Sequence, residues 1–120
     1  MQSVKKRTST FLALMVLFTM SARSFAFEDV IKVGALLPMT GKLAQIGKNE
    51  SRAFLMAVDE INYDGGIDGK EIKLIIENTN GDPDKGIQAI DKLINRDNVI
   101  AIAGGCSSSV TWKGIEIAQQ

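Results

Sequence analysis

Apolar and polar positions alternate in blocks after residue 29, in a pattern that predicts strands and helices in turn. The segment from Val30 to Leu37 is apolar apart from Lys32 and is followed by a proline, which is typical of a buried strand. Ile72 to Ile76 predicts a second strand. The fully apolar run from Val99 to Ala103 predicts a third strand, central in its sheet and covered on both faces.

The segments between these strands predict helices. Asn49 to Asn62 has apolar residues at the spacing of one helix face, after a predicted loop over Met39 to Gly47. Asp82-Pro83 is an N-cap followed by proline at the first helical position, and Ser107 to Ser109 offer N-caps for a last helix through Gln120. The order β-α-β-α-β-α predicts the α/β class, with a parallel sheet and helices on both faces.

The first 26 residues have the three parts of a secretory signal peptide. Lys5, Lys6 and Arg7 are followed by an apolar run from Phe11 to Met20, which is about half the length that a bilayer span requires. Small residues then precede a cleavage site between Ala26 and Phe27. We therefore expect residues 1–26 to be removed and the exported chain, residues 27–120, to function in the periplasm.

Charge and residue usage exclude several classes of function. Four of the fourteen basic residues lie in the first 26 positions, which leaves ten against fourteen acidic residues in the remainder. This balance offers no basic patch for nucleic acid. The chain has no histidine, the commonest general base and zinc ligand, and a single cysteine. We expect no metal, no cofactor and no enzymatic activity.

Three loops follow the carboxyl ends of the predicted strands, where α/β sheets bind ligands. The third loop has two glycines and then Ser107, Ser108 and Ser109 before a helix. Glycine allows close approach to the backbone, and a helix N-terminus with hydroxyl donors favours a small anion such as a carboxylate. Two interpretations remain open: the serines cap the helix, or they also bind a ligand.

Cys106 lies in the same loop and raises the alternative of a thiol-dependent hydrolase. No histidine is present to activate the thiol. The better interpretation is that Cys106 serves as a small apolar residue, buried or half-buried in the protein. Asp82 and Asp84 raise the alternative of a calcium site. Pro83 separates them and no further ligands stand at loop spacing, so helix capping is favoured.

The order of these segments resembles the leucine/isoleucine/valine-binding protein family of ABC transporters. The similarity extends over nearly all of residues 30–110. The matching stretches are IKVGALLPMTG at 31–41, AVDEIN at 57–62, GGIDGK at 65–70, GDP at 81–83, KLI at 92–94 and GGCSSS at 104–109. Some relatives pair the cysteine with another just before the Asp-Pro, but Gly81 stands there in this chain.

The resemblance implies a type I periplasmic-binding-protein lobe and a set of ligand-binding residues. It assigns the ligand α-carboxylate to Ser107, with Ser108 beside it and with backbone N–H groups of the loop containing Gly105 and Cys106. It assigns the ligand's aliphatic part to the loop after the first strand, at Ile46 with Gln45 beside it. Many relatives have an aromatic residue where this chain has Ile46.

The resemblance also implies partners and a mechanism. The expected ligand is an amino acid, first leucine, isoleucine or valine, held by the closure of two lobes and delivered to an ABC transporter membrane permease. Family members are several-fold longer, so residues 27–120 are expected to form only the N-terminal part of the first lobe. The alternatives are a ligand-binding sensory module, or another small solute such as an amide or urea.

Overall fold

Three strands and three helices alternate in the computed structural model, which describes residues 30–118. No helix within those residues is long and apolar enough to cross a membrane. The predicted signal peptide, its cleavage site and the last two residues lie outside the described part of the chain. The elements are β1 Ile31–Leu37, α1 Ala44–Tyr63, β2 Ile72–Asn78, α2 Pro83–Asn95, β3 Ala101–Gly104 and α3 Ser108–Ala118.

The sheet is parallel, with the strand order β2-β1-β3. Ile31 of β1 is in register with Ile72 of β2, and Val33 is in register with Ala101 of β3. All three strands therefore end at the same edge, which confirms the predicted class and sheet type.

The helices cover both faces of the sheet. The Cβ that Gly34 lacks would lie 2.8 Å from Leu93 Cδ1 of α2, so alternate residues of β1 face α2. Leu36 lies on that side in a core with Ala89, Ile90 and Leu93. The intervening Ala35 and Leu37 are fully buried on the opposite side, where α1 packs on β1 and β2. This arrangement confirms the prediction of helices on both faces.

The first helix begins earlier than the sequence pattern predicts. The predicted loop over Met39 to Gly47 is wrong from residue 44 onward, because α1 starts at Ala44 and not at Asn49. Gly47 is buried in the helix, and a Cβ there would collide with the carbonyl oxygen of Pro38. Glycine is thus required for close helix–strand packing, not for a turn.

The third strand also differs from its prediction. Within residues 30–118, β1 is the central strand and β3 lies at an edge of the sheet, with Ala101 exposed and Ile100 76% exposed. An unbroken apolar run indicates burial, but it does not determine how many neighbours a strand has. The central position predicted for Val99 to Ala103 is therefore not found in the described sheet.

The predicted N-cap of α2 is confirmed. One carboxylate oxygen of Asp82 accepts hydrogen bonds from the backbone N–H groups of Asp84, at 2.8 Å, and Lys85, at 3.1 Å. Pro83 is the first helical residue, as predicted. These bonds hold the pKa of Asp82 below its ordinary value, because they stabilise the ionised carboxylate.

Candidate functional site

The carboxyl edge of the sheet brings the three predicted loops to one side of the molecule. Because β1 is central, its loop lies between the loop that follows β2 and the loop that follows β3. In an open α/β sheet this edge is where ligands bind. The loops cover residues 38–43, 79–82 and 105–107.

The loop after β3 turns through two glycines with left-handed backbone conformations. Gly104 has φ +97° and Gly105 has φ +95°, a region that other residues rarely adopt. A Cβ on Gly104 would lie 2.5 Å from the carbonyl oxygen of Leu36. The N–H of Gly105 donates to the same carbonyl oxygen at 2.9 Å, and the hydroxyl of Thr111 donates to the carbonyl oxygen of Gly105 at 2.8 Å. The turn is thus tied both to the central strand and to α3.

Ser107 stands at the N-cap position of α3, because the helix begins at Ser108. Its carbonyl oxygen accepts hydrogen bonds from the N–H groups of Val110, at 3.1 Å, and Thr111, at 3.0 Å. Its hydroxyl is 2.8 Å from the hydroxyl of Ser109. Ser107 is half-buried and Ser108 is exposed.

This arrangement can accept a small anion. The first N–H groups of a helix have no acceptor within the helix and carry partial positive charge. Hydroxyl groups beside them add donors for a carboxylate. Capping and ligand binding are therefore compatible at this loop, since the Ser107 carbonyl starts the helix while the hydroxyls remain close to its N-terminus.

Cys106 is half-buried. Partial burial raises the pKa of the Cys106 thiol, and the negative charge of Glu50 raises this pKa further. A nucleophilic cysteine requires the opposite shift. The environment thus disfavours the alternative of a thiol-dependent hydrolase.

Gln45 and Ile46 lie in the first turn of α1 and not in a loop, which corrects their predicted setting. Ile46 is 48% exposed, and the amide of Gln45 donates to Asn49 at 3.2 Å. Ile46 precedes Glu50 by four residues, so the two side chains share one helix face.

A polar network that the sequence analysis missed joins the first two loops. The carbonyl oxygen of the Asn78 side chain accepts from the N–H groups of Met39 and Asn80, each at 2.9 Å. Its amide donates to the hydroxyl of Thr40 at 2.8 Å, and that hydroxyl donates to Asn80 Oδ1 at 3.1 Å. Asparagine after a strand was a weak signal for this network, because asparagine is common in any loop.

A separate cavity lies away from the loop after β3. It has a volume of about 520 Å³, between the outer edge of β2 and α2, and none of the predicted ligand-binding residues lines it. Among residues 30–118 no cluster of cysteine, aspartate and glutamate is arranged to hold a metal ion. The lining residues include Glu77, Lys85, Lys92 and Arg96.

Comparisons with known proteins agree on the family. A periplasmic binding protein family model matches residues 30–120. An amino acid binding protein of Pseudomonas aeruginosa is 33% identical over 106 residues, which cover 88% of this chain and 28% of the relative. A leucine-, isoleucine-, valine-, threonine- and alanine-binding protein of the same organism is 31% identical, covering 98% of this chain and 31% of the relative. This chain thus spans less than a third of the length of these curated relatives.

Solved structures agree as well. The branched-chain amino acid transporter substrate binding protein LivJ of Streptococcus pneumoniae, in complex with isoleucine, has a TM-score of 0.72 and 31% identity, covering 75% of this chain and 26% of that one. A solute binding protein of an ABC transporter from Rhodopseudomonas palustris, in complex with 3,4-dihydroxybenzoic acid, has a TM-score of 0.69 and 30% identity, covering 76% and 24%. The partial type I lobe, its loop at the carboxyl edge and these matches lead to one conclusion: the chain belongs to the periplasmic binding protein family.

Proposed function

We propose that this chain supplies the carboxylate-binding half of an amino-acid site in an extracytoplasmic solute-binding protein of an ABC transporter. The observation that carries the proposal is the loop after β3, where two left-handed glycines place Ser107 at the start of α3. Ser107 and Ser108 would bind the ligand carboxylate through hydroxyl and backbone N–H groups, with Gly105 and Cys106 shaping the loop. Ile46 and Gln45 would contact the remainder of the ligand from α1.

Branched-chain amino acids are the first candidates for the ligand. One similar protein is named for binding leucine, isoleucine, valine, threonine and alanine. Another was solved in complex with isoleucine. The exposed aliphatic side chain of Ile46 suits an aliphatic ligand. A second candidate is an aromatic carboxylic acid, because the similar protein from R. palustris holds 3,4-dihydroxybenzoic acid. Isoleucine and this acid share a carboxylate, the group that the loop after β3 is suited to bind.

In the whole protein, we propose reversible, non-covalent capture without chemical conversion. A second lobe would bind the ammonium group, closure about a hinge would exclude water from both charges, and the closed form would dock on a membrane permease. Binding needs no general base, which agrees with a chain that has no histidine. The support for this scheme is family membership.

Export is the remaining part of the proposal. We propose that residues 1–26 direct the chain to the periplasm and that cleavage separates Ala26 from Phe27. The intact mass of the product in a periplasmic extract tests this directly. A product that retains residues 1–26 would contradict the cleavage.

The affinity expected of this half-site alone is low. Micromolar binding requires about −8 kcal/mol. Hydrogen bonds to a charged group contribute roughly 1.5–3 kcal/mol each, and lost translational freedom costs about 4 kcal/mol or more. With two such bonds at an open loop, we expect affinity no tighter than about millimolar for residues 27–120.

An NMR titration of the ¹⁵N-labelled chain with leucine tests the half-site. We expect saturable shifts of the amides of residues 105–109, no comparable shifts with leucinamide, which lacks the carboxylate, and their loss in Ser107→Ala. Gln88→Ala, an exposed change on α2, is the control and should bind like the parent chain. Equal shifts with leucine and leucinamide, or an unaffected Ser107→Ala, would exclude carboxylate binding by this loop.

A further inference from the structure

We propose that the outer edge of β2 binds an extended segment of a partner protein in which acidic and apolar residues alternate. The segment adds a strand to the sheet, and its acidic side chains enter the groove between β2 and α2. None of the predicted ligand-binding residues lines this groove, so the proposal does not depend on the amino-acid site.

The outer edge of β2 presents backbone groups without a strand partner. The carbonyl oxygen of Glu71 and the N–H of Thr79 bond to β1 at the two ends of the ladder. Odd-numbered residues of β2 therefore direct their backbone groups to β1, and Leu74 and Ile76 direct theirs outward. Within residues 30–118, β2 pairs with no strand other than β1. Such an edge is a template for an added strand.

The side chain of Asn62, near the end of α1, already bonds to this edge. Its amide donates to the carbonyl oxygen of Ile72 at 2.9 Å, and its Oδ1 accepts from the N–H of Ile72 at 2.7 Å. These are the two bonds that one residue of an antiparallel strand would make. Asn62 thus occupies the first position of the edge and leaves the outward groups of Leu74 and Ile76 to a partner.

The groove beside the edge has the length of a short extended segment. Its lining runs along α2 from Lys85 to Arg96 and encloses a volume of about 520 Å³. At a rise of about 1.5 Å per helical residue, this lining is about 16 Å long. Roughly five residues of a strand span the same distance, at about 3.3 Å each.

Exposed cations border the groove. Lys85 and Arg96 line it from α2. Lys73 of β2 lies two residues before Ile75, which packs on the core beneath α2, so its exposed side chain is on the same face of the sheet. None of the three cations forms an ion pair within residues 30–118. They are available to acidic side chains of a partner.

The acidic groups that line the groove are already bound. Glu77 forms an ion pair with Lys92, and Asp91 accepts a hydrogen bond from Asn95. The groove therefore has excess positive charge, although the chain after residue 26 has fourteen acidic residues against ten basic ones. A second copy of this chain would bring the same cations together, so an acidic segment is the more complementary occupant.

The other side of the edge is apolar. Leu55 of α1 is 45% exposed and precedes Asn62 by about two helical turns, so both side chains lie on one face of the helix. Since Asn62 reaches the start of β2, Leu55 borders the same edge farther along the strand. Alternate residues of an added strand point to opposite faces, one set to the cations and the other to Leu55. This geometry selects a segment with alternating acidic and apolar residues.

An NMR titration of the ¹⁵N-labelled chain with the peptide acetyl-TEVEVET-amide tests the proposal. We expect saturable shifts of the backbone N–H signals of residues 72–78 and 85–96. The N–H groups of Leu74 and Ile76 should exchange about tenfold more slowly at a peptide concentration of ten times the dissociation constant, because only the unbound fraction exchanges. The neutral peptide acetyl-TQVQVQT-amide should bind roughly tenfold more weakly, since each exposed ion pair contributes about a factor of two to five.

Single substitutions test the charge complementarity from the side of the protein. Lys85→Gln and Arg96→Gln should each weaken binding of the acidic peptide by roughly two- to fivefold and leave the affinity for the neutral peptide unchanged. Arg52→Gln removes an exposed cation from α1, on the other face of the sheet, and is the matched control. It should bind both peptides like the parent chain.

Several results would overturn the proposal. One is equal affinity of the parent chain for the two peptides. Another is a set of shifts without slower exchange at Leu74 and Ile76, since the peptide would then bind without adding a strand. A third is protection of these two N–H groups when the concentration of the chain alone is raised, because a second copy would then occupy the edge. If a variant does not fold, the comparison of the two peptides on the parent chain decides the question.

Discussion

Replacing Asn78 by alanine should loosen the first two loops of the candidate site together. The side chain accepts two backbone N–H groups, at 2.9 Å each, and donates to the hydroxyl of Thr40 at 2.8 Å. A hydrogen bond contributes about 0.5–1.5 kcal/mol net, so three contribute roughly 1.5–4.5 kcal/mol. Asn78 is exposed, and water can replace part of this contribution. We therefore expect Asn78→Ala to lower the free energy of unfolding by about 2 kcal/mol.

Urea denaturation followed by circular dichroism measures this loss, with a stabilising osmolyte present if the chain is marginally stable. Asn78→Asp keeps both accepted hydrogen bonds and loses the amide donor. Its free energy of unfolding should therefore lie between those of the parent chain and Asn78→Ala. Asn95→Ala is the matched control, since Asn95 is exposed on α2 and makes one side-chain bond, to Asp91 at 2.8 Å. Alanine also favours a helix, so the control should change stability little.

Hydrogen exchange locates the effect. The backbone N–H of Asn80 donates to Asn78 Oδ1. Hydrogen exchange at this N–H should therefore be faster in Asn78→Ala than in the parent chain, and unchanged in Asn95→Ala. If Asn78→Ala were no less stable than Asn95→Ala and the Asn80 amide exchanged at the parent rate, the network would not hold the loops together. Asn78, at the end of β2, would then not position the loop before α1.

Two further predictions concern the packing of the sheet and the start of α2. Gly34→Ala should cost about 1–3 kcal/mol because its methyl group would lie 2.8 Å from Leu93 Cδ1, and Leu93→Ala about 2–5 kcal/mol because Leu93 is fully buried. The double variant should lose less than the sum in urea denaturation, since the new methyl group occupies the space that leucine leaves; strict additivity would contradict the contact. Backbone N–H groups hold the pKa of Asp82 below its ordinary 3.8, so its contribution to stability is present above the unfolded pKa and is lost as pH falls through the folded value. Stability should therefore fall less steeply with acidification in Asp82→Asn than in the parent chain, and identical slopes would contradict the capping bonds.

The family fold was accessible from the sequence because its signals are local. Apolar runs at 30–37, 72–76 and 99–103 coincide with strands to within one or two residues, and Asp82-Pro83 predicts the start of α2 correctly. Each of these signals depends on neighbours within a few residues. The GGCSSS sequence at 104–109 likewise predicted a turn between a strand and a helix, and the structure has this turn between β3 and α3.

Contacts between distant segments were decided only by the tertiary structure. Gly47 looked like a loop residue, because sequence alone does not distinguish a glycine that bends the chain from one that admits Pro38. The three loops after the strands are far apart in the sequence, and the strand order β2-β1-β3 brings them to the same edge of the sheet. Local patterns determine which segments become helix and strand, whereas the partners of a side chain depend on how those segments pack. The sequence alone therefore identified the loop that carries Ser107, and only the tertiary structure showed that the side chain of Asn78 joins the other two loops at the same edge.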